Sequence, residues 1–125
     1  GKEISILEEV KKNKLTLIDF WASWCGPCRR AVPQVVQIYS KYHEKGLGII
    51  GISLDEDKNE WTKAINDMGM TWTHVSDLQG WDNAIAKAFG IRAIPHMMLV
   101  DQQGSIINAD VEVEELEELL SEKLK

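Results

Sequence analysis

Cys25 and Cys28 are the two cysteines of a 125-residue chain, and they stand three apart in Trp24-Cys25-Gly26-Pro27-Cys28. Two intervening residues let the sulfurs meet across one helical turn, so a small disulfide ring can close and reopen. Ahead of them, residues 15–20 form an apolar run that predicts a buried strand. After them an apolar pattern of helical period begins. Cys25 is therefore expected at or just before a helix N-terminus. Unpaired backbone N–H groups and the positive end of the helix dipole favour a thiolate there. Thiolate is the attacking species in thiol–disulfide exchange. Pro27 suits the first helical turn, where its missing N–H would be unpaired anyway. Cys28, one turn further in, is expected to be the more buried thiol and to resolve a mixed disulfide by closing on Cys25. Arg29 and Arg30 either add positive charge near the sulfurs or point into solvent.

Two blander uses of the cysteines weigh less. A structural zinc site needs four ligands, and only His43, His74 and His96 could join the pair, none of them closely spaced to it. No metal is expected. A purely structural disulfide would close too short a loop to restrict the unfolded chain much. Asp19 sits amid Leu17, Ile18 and Phe20, which predicts burial and a raised carboxyl pKa. Trp21 reads as core.

Trp24-Cys25-Gly26-Pro27-Cys28 resembles the active-site motif of the thioredoxin family, and Asp19-Phe20-Trp21-Ala22 is similar to the residues that precede it there. Ile94-Pro95 resembles the family's cis-proline loop. The resemblance covers nearly the whole chain. The longer spacing after the motif points to the TlpA/ResA-like branch, exported bacterial thiol–disulfide oxidoreductases. The implied fold is a thioredoxin-like three-layer α/β sandwich with a central mixed β-sheet and an α/β insertion at residues 71–89, before the cis-proline loop. The implied order of central strands places those at Leu47, Leu15, Met97 and Ser105 side by side.

The resemblance also implies roles. Cys25 is the nucleophile and Cys28 the resolving cysteine. Asp19 is the buried acid that accepts a proton from Cys28. Pro95 is cis and faces the disulfide, and the Ile94 backbone pairs with an extended substrate segment. Trp24, a surface aromatic beside the nucleophile, lines the substrate site with Gly26 and Pro27. Pro33 matches the proline of the active-site helix. Glu56 is the nearest match to an acidic residue that tunes the site, moving protons with Asp19. Its alternative is a helix start in which the acidic run at residues 55–60 supplies the cap and first turn. The expected activity is reduction of protein disulfides, fed by an upstream dithiol donor, with no cofactor beyond the Cys25–Cys28 disulfide. A monomer in the periplasm or cell envelope is expected, with a cytoplasmic home as the alternative.

Two other functions compete. A peroxiredoxin-like peroxidase carries its proline ahead of the reactive cysteine, whereas Val32-Pro33-Gln34 follows the cysteines here. A peptide-binding module with incidental redox activity would use Trp24 and the Ile94 backbone without turnover.

The composition fits one domain large enough for a real core. A formal net charge of −6 argues against nucleic-acid partners, and no stretch is long and apolar enough to span a membrane. The leading residues lack the look of a signal peptide. They resemble the short helical segment, over 4–10, that follows a hairpin in related domains. This predicts a domain excised from, or the C-terminal part of, a longer exported chain, with an abbreviated natural N-terminus as the alternative.

The remaining pattern positions the motif. A helix is expected over residues 27–45, with Val32, Val35, Val36, Ile38, Tyr39 and Tyr42 inward and Gly46 ending it. A strand over 47–54 follows, apolar enough to be covered on both faces. Trp61, Ala64, Ile65 and Met68 form a helical stripe ending at Gly69. A short strand spans 70–75 and a short helix 81–89, with Ala84, Ile85 and Ala88 inward. Trp81 reads as packing, with the rim of the substrate groove as its alternative. A strand over 97–100 carries Met97 and Met98 into the core, and His96 before it has no predicted chemical duty beyond a possible place near the cysteines. A turn over 101–104 leads to an edge strand over 105–108. Val113, Leu116, Leu119, Leu120 and Leu124 form the stripe of a terminal helix with a solvated acidic face.

Overall fold

β1 (Leu15–Trp21) is the middle strand of five, and all seven of its residues are buried. Its neighbours explain why. β2 (Leu47–Ser53) pairs with it in parallel on one side, and β4 (His96–Asp101) antiparallel on the other. β3 (Thr73–Val75) adds a parallel strand outside β2, and β5 (Ile106–Asn108) an antiparallel one outside β4. The order β3-β2-β1-β4-β5 makes a mixed sheet in which the four central strands lie as expected and the insertion supplies the fifth. The computed structural model describes residues 6–124.

Among the described residues five α-helices accompany the sheet: α1 (Ile6–Lys11), α2 (Gly26–Tyr42), α3 (Lys58–Asp67), α4 (Ala84–Ala88) and α5 (Val113–Lys123). The expected helical segment thus begins at Ile6, and residues 4–5 lie outside the described residues. α2 and α5 pack against each other. Val32, Val35, Ile38 and Tyr42 of α2 are buried, with Val36 and Tyr39 partly so. Tyr39 meets Trp72, Trp72 meets His74, and His74 meets Trp21 through successive ring contacts. Asp19, Gly51 and His74 are register partners on neighbouring strands, so they share a face. α2 therefore covers the face that carries Asp19 and Trp21.

Three expectations are corrected. The strand over 70–75 begins only at Thr73. Met70 donates its N–H to the Ile65 carbonyl and so serves as the end of α3 instead. The helix over 27–45 stops at Tyr42 and tightens into a 3₁₀ turn (His43–Lys45) that closes at Gly46, whose φ of 118° needs a glycine. The helix over 81–89 is two pieces, a 3₁₀ turn (Gly80–Asp82) and α4. Asn83 divides them. Its side chain accepts from the N–H groups of Ile85 and Ala86 at 3.0 and 2.9 Å, restarting the helix as an N-cap. The restart turns Ala86 inward, while Ala84 and Ala88 are exposed.

Candidate active site

The chain leaves β1 at Trp21 and turns through residues 22–25, where the Cys25 N–H donates to the Ala22 carbonyl at 3.2 Å. α2 then begins with Cys25 as its N-cap. Cys25 and Cys28 are joined in a disulfide, their Cα atoms 5.2 Å apart. The Cys28 N–H donates to Cys25 Sγ at 3.2 Å. A thiolate formed at Cys25 on reduction keeps that donor and the helix dipole behind it. Both cysteines are buried, Cys25 at 5 % exposure and Cys28 at 3 %, so the expected contrast in burial between them is slight.

The Ile94–Pro95 peptide bond is cis, and the Ile94 carbonyl lies 3.8 Å from Cys25 Sγ. The loop ahead of β4 is thereby set against the reactive sulfur. Gly26, Pro27 and Pro95 are exposed around it, and Trp24 is 56 % exposed. Arg29 stays exposed, but its guanidinium donates to the Ser23 carbonyl at 3.2 Å and so braces the turn before Cys25. Pro33 lies inside α2 on an exposed position.

Asp19 is buried on the sheet face that α2 covers, and Cys28 is a buried residue of α2. Burial pushes its pKa from the ordinary 3.8 up to about 7. A carboxyl of that kind changes charge in the range where thiols need a proton acceptor.

The chain spacing that placed Glu56 in the site puts it just past the carboxyl end of β2. Glu56 is exposed and its side chain lies over Gly80, where an added Cβ would stand 3.0 Å from Glu56 Cγ. The cap of α3 is Asp57, whose Oδ1 accepts from the Asn59 and Glu60 N–H groups at 2.8 and 3.1 Å. His96 turns away from the sulfurs. Its Nε2 donates to the Ala109 carbonyl at 2.8 Å, and its ring meets Phe20 edge-on. His43 and His74 likewise engage backbone carbonyls elsewhere, those of Leu47 and Met70. Among the described residues, no three His, Cys, Asp or Glu side chains gather as a metal site would require.

A thioredoxin-like family model matches residues 13–106. The chain belongs to the thioredoxin-like family. Its relatives are thiol–disulfide oxidoreductases. ResA from Bacillus thuringiensis subsp. konkukian is 30% identical over 125 residues, covering 100% of this chain and 69% of that protein. The thioredoxin domain of a thiol–disulfide oxidoreductase from Bacteroides vulgatus superposes with a TM-score of 0.88 at 27% identity, over 100% of this chain and 88% of that one. A thiol–disulfide oxidoreductase from Bacteroides fragilis gives 0.83 at 33% identity, over 90% and 83% of the two chains. The thioredoxin-like chain is a thiol–disulfide oxidoreductase in its turn, with dithiol–disulfide exchange at Cys25 and Cys28 as its chemistry.

Two side chains beside this thioredoxin-like site stand differently from what the sequence led one to weigh first. Asp55 was submerged in an acidic run, yet it is 1 % exposed. Its carboxylate accepts from the Ser23 N–H at 3.1 and 3.2 Å, from the Ser23 hydroxyl, and from the Ser53 hydroxyl. The only sequence signal was its place at the end of an apolar strand. Trp81 was read as packing with the rim of the substrate groove as its alternative; it is 47 % exposed and its ring centroid lies 6.4 Å from that of Trp24.

Proposed function

We propose that this chain reduces disulfides in protein substrates, with Cys25 attacking and Cys28 resolving. The observation that carries the reading is the seat of Cys25 Sγ, between the Cys28 N–H at the start of α2 and the Ile94 carbonyl of the cis-proline loop. Reduced Cys25, as thiolate, attacks one sulfur of the substrate disulfide. That bond breaks, a Cys25–substrate disulfide forms, and the other substrate sulfur leaves as thiolate and takes up a proton. Cys28 then gives its proton to Asp19 and attacks Cys25 Sγ. The Cys25–Cys28 bond forms and the second substrate thiolate departs. Two protein thiols become a disulfide while one substrate disulfide becomes two thiols.

The Ile94 backbone pairs with an extended substrate segment, Pro95 faces the bond being exchanged, and Trp24, Gly26 and Pro27 complete the contact surface. Glu56 is the second acid, acting at the rim beside Gly80. An upstream dithiol donor returns the electrons, and no cofactor takes part. The protein works as a monomer in the periplasm or cell envelope; no helix among the described residues is long and apolar enough to cross a membrane.

The reduction potential of the Cys25–Cys28 couple, measured by equilibration with glutathione and dithiothreitol, tests the direction. A value near about −270 mV, where thioredoxin lies, is expected for a reductase. A value near about −120 mV, where the strong oxidant DsbA lies, would make the chain an oxidant of its substrates and overturn this reading.

A further inference from the structure

Two half-exposed indoles stand together beside a reactive disulfide, and one buried residue holds both. Asp55 binds Ser23 through its carboxylate and Gly80 through its backbone, the Gly80 N–H donating to the Asp55 carbonyl at 3.4 Å. Ser23 precedes Trp24, and Gly80 precedes Trp81. Gly80 has a φ of 57°, and Glu56 closes over it at the distance of a Cβ contact, so the turn that presents Trp81 is tightly formed. The turns that carry the two indoles are thus tied to Asp55, just past the end of β2, yet both indoles remain about half exposed. Exposed aromatic area so placed costs hydration free energy in the free protein and returns it when a partner covers it.

We propose that Trp81 is a specificity-determining residue. With Trp24 it forms an aromatic wall that favours cysteines carrying a large apolar side chain within about two residues in an extended polypeptide. The proposal rests on the exchange chemistry given above and adds the substrate class. Three observations select this occupant. The wall is continuous with the disulfide, because Trp24 adjoins Cys25. Cys25 is only 5 % exposed, so what reaches it must be narrow, as an extended segment is. The charges nearby are of both signs: Arg29 is bonded to the Ser23 carbonyl, Asp82 pairs with Lys87 at 2.9 Å, and Glu56 folds over Gly80 while Arg30 lies beside Gly26. They leave an apolar contact as the basis for choice.

The test uses two peptide disulfides of equal length and charge, one with leucine and phenylalanine flanking the cysteine, the other with serine at both places. Rate constants are measured for reduction by the dithiol form of the full chain. The expected result is a preference of about tenfold for the apolar peptide, abolished in Trp81→Ala and largely kept in Trp81→Phe. Ile106→Ala removes an equally exposed apolar side chain on the β5 edge and is expected to keep the preference. The reduction potential of Trp81→Ala reports whether its disulfide site is intact. Equal rates with both peptides in the wild type, or a preference that survives Trp81→Ala, would overturn the proposal. A wild-type dimer that Trp81→Ala dissociates would assign the wall to a second copy and also overturn it. No reaction with either peptide, in either redox direction, would overturn the exchange chemistry itself, and the proposal with it.

Discussion

Asp19 stands six residues before Cys25 in sequence; in space it is buried on the sheet face that α2 covers. An ionised carboxylate there has lost its water, which is why its pKa rises to about 7. The linkage follows from which state holds the proton. In the unfolded chain Asp19 ionises near 3.8, whereas the folded protein keeps it protonated until about 7. Between those values the folded state binds the extra proton, so this group lowers stability as pH rises. The loss is complete above about pH 7 and amounts to about 4 kcal/mol. Asp19→Asn is therefore expected to stabilise the oxidised protein, by a margin that grows from pH 4 to pH 7 and then levels off. Urea unfolding of both proteins across that range measures it, and a margin independent of pH would contradict the burial account. In the proposed exchange Asp19 takes the Cys28 proton, so the same variant is expected to slow resolution by about a hundredfold at neutral pH. Stability gained and rate lost in one substitution is what separates a proton acceptor from a packing residue.

At the scale of elements, the active site is the meeting of three segment ends: the end of β1, the end of β2, and the insertion turn at Gly80–Asp82. Asp55 ties them together. Its four contacts come from the Ser23 N–H, which reaches both oxygens, and from the Ser23 and Ser53 hydroxyls. Asp55→Asn is expected to cost about 2–3 kcal/mol, since an amide nitrogen would replace one of two buried acceptor oxygens. Asp57→Ala, two residues along, removes only the α3 N-cap and is expected to cost about 1 kcal/mol. Denaturant midpoints rank the two, and equal losses would reduce Asp55 to another cap. The contrast shows what the sequence could carry. Cys25, Gly26, Pro27 and Cys28 were legible because their chemistry is local: neighbours in sequence, one helical turn, one cap. Asp55 was not, because its partner Ser23 lies 32 residues away and nothing in residues 53–57 distinguishes the buried acid from its exposed neighbours. The two readings of Trp81 were left open for a related reason. A tryptophan's type argues for burial, whereas Trp81 stands in the 3₁₀ turn that opens at Gly80 (φ 57°), with its ring 6.4 Å from that of Trp24.

For the whole molecule, the apolar runs of β1 and β2 announced a sheet covered on both sides, and strand order came from the resemblance of the motifs. What no run announced is that the covered sheet holds two ionisable side chains in one row, Asp19 and His74, with Gly51 between them. Gly51 is the reason the row closes: a Cβ there would stand 2.7 Å from His74 Nδ1 and 3.1 Å from Trp21 Nε1. His74 Nε2 donates to the Met70 carbonyl at 2.9 Å, so Nδ1 carries the lone pair, and it is buried without a partner. Desolvation lowers the His74 pKa, against the smaller opposing effect of the Met70 bond. The sign is opposite in form to that of Asp19. As pH falls through about 6.5, the unfolded chain takes up a proton on His74 that the folded protein refuses, so stability falls with pH. Asp19 changes stability the other way over an overlapping range, so the comparison belongs in the Asp19→Asn background. There, His74→Gln keeps a donor for Met70 but cannot titrate. The His74 protein is expected to lose stability relative to His74→Gln between pH 7.5 and 5, by up to about 1.4 kcal/mol per pH unit below about 6.5. Parallel unfolding curves at the two pH values would mean that the folded protein accepts the proton at His74. A charged ring over Gly51 would then need a buried partner, and the sheet would have to open to supply one.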